Sequence, residues 1–144
     1  MPTPMPMCCA AARPVPYELS FTQQLPIANR KHYINECCVG GDIVVDRLMP
    51  VVIAAGYTEI ETHQEDWGWF IWFQSGDVHL AIDVCTDDGD AGEFRIRLTS
   101  RLKKRFFGHK EQDTPELDVL LQQVRGEIEK WIGKPVGVER DEVR

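Results

Sequence analysis

The chain has 144 residues, 43% of them hydrophobic and 27% charged, with four tryptophans. That size and balance fit one globular domain able to bury its own core, and no apolar run approaches the ~20 residues that a bilayer-spanning helix needs. A net charge of −7 disfavours general affinity for nucleic acid. Yet seven of the sixteen basic residues fall between Arg95 and Lys110, a window without an acid, leaving nine basic and twenty-three acidic residues elsewhere.

Residues 1–16 hold five of the nine prolines and lack a basic n-region. They read as a mobile Met/Pro-rich tail rather than a signal peptide, with the cytoplasm as the expected compartment. The five cysteines (Cys8, Cys9, Cys37, Cys38 and Cys85) are odd in number and do not resemble a secreted framework, so reduced thiols are expected. Tyr17, Leu19, Phe21 and Leu25 alternate with polar residues, which predicts a half-buried strand ended by Pro26. Residues 27–41 are irregular, with room for a short helical turn between Tyr33 and Cys38.

Asp42 is placed to cap a helix over Ile43–Ala55, with Gly56 at its C′ position and Pro50 expected to kink or divide it. Tyr57–His63 is β-prone but polar, as an outer or edge strand would be. The runs 67–74 and 78–85 alternate strongly and flank Ser75-Gly76, a two-residue hairpin turn. On that turn Phe73 pairs with Val78, Ile71 with Leu80, Trp69 with Ile82 and Trp67 with Val84. One face then carries these eight apolar residues, and two independently alternating strands agree on it.

Residues 86–92 form a turn-rich loop, 93–99 a strand burying Phe94, Ile96 and Leu98, and 100–112 a basic loop. The last helix begins with Thr114 as N-cap and Pro115 at N1, or with Asp113 and Glu116 as a capping box. Leu117, Leu120, Leu121, Val124, Ile128 and Trp131 form its apolar stripe, and Gly133 and Pro135 end it. Residues 136–144 read as a charged C-terminal tail, where Val136 and Val138 could add an edge strand. The expected fold is α+β. A single antiparallel sheet of four to five strands, in the element order β-α-β-β-β-β-α, spans a domain over 17–135 with helices packed against it.

The opposite face of the central hairpin presents Phe70, Trp72, His79 and Asp83, flanked by Arg95 and Arg97. Tryptophan and arginine together are the composition of a protein-binding hot spot. The competing reading is that the first helix or the N-terminal strand covers Phe70 and Trp72 and makes the sheet two-sided. In the basic loop, Arg101, Lys103, Lys104 and Arg105 beside two phenylalanines could hold a nucleic-acid backbone or a partner. The plainer reading is a solvated loop anchored by its phenylalanines. Asp83, Asp87, Asp88, Asp90 and Glu93 lack the spacing of a calcium loop and suit turn chemistry. His32, Cys37 and Cys38 lack zinc-ligand spacing. His79 and Cys85 are about 20 Å apart along one strand, too far to act as a nucleophile pair, and His63 reaches Cys85 only if strand order allows. No catalytic motif, cofactor or metal site is expected.

Glu65-Asp66-Trp67-Gly68-Trp69, with the strands after it and the terminal helix, resembles a loose group of small, mostly uncharacterised bacterial proteins, some of them immunity-like. The resemblance covers residues 57–132 and implies a stand-alone cytosolic domain without carrying over a catalytic residue. The leading expectation is therefore a non-catalytic protein-binding module, such as an immunity protein or a phage or bacterial inhibitor. An acidic dimeric chaperone-like domain, or a nucleic-acid contact through 101–110, are the alternatives.

Overall fold

Alternation along the strands and two apolar helix stripes account for most of the architecture. The computed structural model of the protein describes residues 17–104 and 108–140; the expected tail over 1–16 and Arg105 lie outside them. In chain order the elements are β1 (Tyr17–Thr22), a 3-10 turn (Glu36–Cys38), α1 (Gly41–Ala54), β2 (Thr58–Glu65), β3 (Gly68–Ser75) and β4 (Val78–Asp88). β5 (Glu93–Lys104), β6 (Gly108–Glu111), α2 (Pro115–Ile132) and β7 (Val138–Glu139) follow. The strands make one antiparallel sheet in the order β2-β3-β4-β5-β1-β7, with β6 paired to β5.

The class is the expected α+β, but the sheet is larger than four to five strands. Two polar segments account for the surplus. The stretch expected as a basic loop folds on itself, with Arg101 opposite Glu111 and Lys104 opposite Gly108. In the stretch expected as a charged tail, the edge strand that Val136 and Val138 could add is present: Val136 is buried and Val138 pairs with Leu19. The β5–β6 addition uses backbone hydrogen bonds that a charged sequence can make without an apolar signal.

The central hairpin also differs from its expected register. Ser75 faces Val78, Phe73 faces Leu80 and Trp69 faces Val84, so the turn is Gly76-Asp77 rather than Ser75-Gly76. Gly76 has φ +60°, the value that the first position of a type II′ hairpin turn requires. Moving the turn by one residue slides each partner by two, so every side chain keeps its face.

Both helices pack on one side of the sheet, α1 over β3 and β4 and α2 over β5 and β1. Between them and the sheet lie Leu48, Ile71, Phe73, Leu80, Ile82, Phe94, Ile96, Leu98, Leu120 and Ile128, all at 2% exposure or less. Helix α2 starts as expected: the Thr114 hydroxyl accepts from the Leu117 N–H at 3.1 Å, and Gly133 takes the left-handed C-terminal position at φ +76°. Helix α1 starts earlier than expected, with Gly40 rather than Asp42 at the N-cap. Asp42 instead accepts from the Tyr33 hydroxyl at 2.7 Å. The helix runs through Pro50, because Pro50 and Asp46, whose carbonyl loses that donor, are both exposed.

The Glu65–Trp69 motif is a structural clamp. Glu65 pairs with Gly68 around an Asp66-Trp67 turn, and the Asn35 amide donates to the Asp66 carbonyl at 2.6 Å. The Trp69 indole N–H donates to the Cys38 carbonyl at 2.9 Å, while its ring lies so close to Gly41 that a Cβ there would meet it at 2.5 Å. Gly68 is equally constrained: its φ is +148° and a Cβ would meet the Val84 carbonyl oxygen at 2.1 Å. The motif therefore joins the hairpin to the start of α1.

Candidate functional site

The expected outer face exists, and cross-strand pairing assembles it. Phe70 lies opposite Asp83 and Asp83 opposite Arg97; Trp72 lies opposite Ala81, and His79 opposite Arg101. Only part of it is open, however. Phe70 is 2% exposed and Arg97 5%, so these two are corrected from contact residues to buried members of the face. Phe70 is enclosed by aromatic neighbours: the Trp72 ring stacks on it at 3.9 Å, with Trp67 and His63 at 6.5 and 6.4 Å. Arg95 is committed to Asp87 at 2.8 Å and Glu18 at 3.3 Å. Neither helix supplies the cover, since both lie on the other face.

Trp72 remains 36% exposed and is held rigidly, stacked on Phe70 with its indole N–H 3.2 Å from the Asp83 carboxylate. Beside it opens a groove of ≈370 Å³ lined by Glu59, Glu61, Trp72, Gln74, His79 and Arg101 among others. Trp72 and His79 belong to the expected face and Arg101 to the expected basic segment, here brought together by the β4–β5 ladder. Glu59 and Glu61 were not foreseen. Finding them needs the β2–β3 register, in which Glu61 faces Trp72, and a bulge between Thr58 and Glu61 where Glu59 adopts φ +53°.

The other titratable clusters have structural roles. The Asp88 carboxylate accepts the N–H groups of Asp90 and Ala91, each at 3.0 Å, as a turn-forming aspartate does. Asp90 pairs with Arg30. His32 sits 3.5 Å from Asp42, and among the described residues no group of three His, Cys, Asp or Glu side chains is placed to hold a metal. Strand β3 separates His63 from the strand that carries Cys85. Cys37 and Cys85 are each disulfide-bonded, which corrects the expectation of reduced thiols, and they cluster with Trp67. Cys38 is a buried free thiol donating to the Glu65 carbonyl at 3.0 Å, and burial pushes its pKa up, so it is no ready nucleophile. Burial, then the hydrogen bond to Asp42, pushes the Tyr33 phenol up to about 12.

Among the described residues no helix is long and apolar enough to cross a membrane. The chain matches no family model, no curated protein and no solved structure.

Proposed function

We propose that the chain is a non-catalytic protein-binding module of the immunity or inhibitor kind, docking its partner at the Trp72 groove. The observation carrying this is Trp72 itself. It is a half-open tryptophan fixed by a ring stack and a hydrogen bond, at the mouth of a groove with charged walls. A pre-positioned aromatic anchor loses little side-chain freedom on docking and is the commonest kind of interface hot spot. The groove sets an exposed aromatic ring among charged side chains, the composition of a docking site, which is why binding is the reading favoured.

The test is photo-crosslinking in cells from a benzoylphenylalanine at position 72, compared with one at Val119, an exposed apolar site on α2. The reading predicts a discrete heterologous adduct from position 72 alone. With that partner purified, Trp72→Ala should weaken binding by about 30-fold, the equivalent of a ~2 kcal/mol hot spot. Equal adducts from both positions, or adducts only between copies of this chain, contradict it.

A further inference from the structure

We infer that the partner segment is an extended, lysine- or arginine-rich strand that adds to the edge of β2 left open among the described residues and lays its cationic side chains over Glu59, Glu61 and Trp72. This rests on the protein-binding reading and names the chemistry of the partner. Strand β2 ends the sheet path, with β3 on one side. Thr58–His63 are all exposed, and the segment before α1 meets the strand only toward its end, where the Ile34 N–H donates to the Gln64 side chain at 2.8 Å, so the outer backbone row over Thr58–His63 is open to another chain among the described residues.

Charge selects the occupant. The sequence of β2, Thr-Glu-Ile-Glu-Thr-His-Gln-Glu, carries three glutamates and no lysine or arginine. A second copy is disfavoured at this edge. Two-fold antiparallel pairing keeps outer faces together, so the two centred registers set Glu61 against Glu61 or Glu59 against Glu65, and like charges directly opposite destabilise a sheet. A basic strand reverses that sign. Strands lie about 4.8 Å apart, so the backbone of Arg101 on β5 is ~19 Å from an added strand. Its side chain lines the far wall of the same groove, and Glu59 and Glu61 on the near wall are the charges that the added strand meets first. Trp72, one strand inward from β2, offers a cation–π surface to its longest side chains.

The test titrates the protein with a capped peptide alternating lysine and valine, read by tryptophan fluorescence and calorimetry. Controls are a glutamate–valine peptide and a lysine–valine peptide N-methylated at alternate residues, which keeps the charge but cannot form the ladder. The inference predicts binding of the first peptide only, weakened at least tenfold by the exposed double substitution Glu59→Lys/Glu61→Lys with an unchanged thermal melt. Undiminished binding of the methylated peptide, or to the double variant, overturns it, because charge or the edge would then be irrelevant. If position 72 crosslinks a partner while no lysine–valine peptide binds, this inference fails and the binding module stands. If neither occurs, both fail.

Discussion

The two edges of the sheet are finished in opposite ways. At one edge β1 alternates buried and solvent-facing residues, and β7 closes it with two ladder pairs. Arg140, just beyond β7, pairs with Asp113 and lies over the Tyr17 ring at 5.2 Å. At the other edge β2 is longer, exposed along nearly its whole length and left without a covering strand or helix among the described residues. The first edge completes a core; the second is dispensable to it. Strand β2 contributes little burial, so its bulge and glutamates define the surface that this edge presents.

The largest effects should come from removing the inner face of the sheet, which the helices cover. Phe73→Ala, at 2% exposure, should cost about 3–5 kcal/mol in urea unfolding, whereas Ile60→Ala on β2 should change stability by no more than ~0.5 kcal/mol. If the Ile60 variant is comparably damaged, β2 belongs to the core and the contrast fails. Next is the disulfide bonding at Cys37 and Cys85: full reduction should lower stability by about 2–4 kcal/mol, read as a lower melting temperature with and without reductant. Gly68→Ala should cost more than ~1 kcal/mol because its new methyl meets the Val84 carbonyl, while Gly76→Ala meets no atom and suffers only the strain of its positive φ.

Much of this contrast was legible in the sequence, and the misses have identifiable causes. Trp69, Ile71, Phe73, Leu80, Ile82 and Val84 fell on the inner face because parity survives a two-residue slide, although the turn itself was misplaced by one residue. Thr114 and Gly133 were readable because caps act locally. Gly40 was not, since the Tyr33 hydroxyl draws Asp42 away from a capping role through a contact nine residues distant. The basic hairpin carried no period-two apolar signal. Glu59 and Glu61 looked like solvated strand residues, because their place beside Trp72 depends on which strand β3 pairs with and on an irregular bulge.

Two smaller predictions sharpen the picture. Neutral Tyr33 is favoured in the folded state, so its contribution is fully present below the usual value of 10.0 and is lost as pH rises from there toward about 12. Tyr33→Phe should therefore flatten the alkaline decline of the melting temperature; an identical decline would assign it to other groups. Changing Lys103, Lys104 and Arg105 together to Glu should leave partner binding at the Trp72 groove within about twofold, since none of the three is among the residues that line it. Abolished binding would instead move the contact to the β5–β6 hairpin and revive a nucleic-acid or basic-surface role.

Amide hydrogen exchange on the free protein tests the central contrast most directly. The account predicts slow exchange for the β1 N–H groups that face β5 and around Glu18 and Leu19, where β7 pairs on the other side, and alternating fast exchange along β2, where every second N–H points away from β3. Uniform protection of β2 equal to that of β1 would show that this edge is already covered, and would contradict its assignment as the open docking edge.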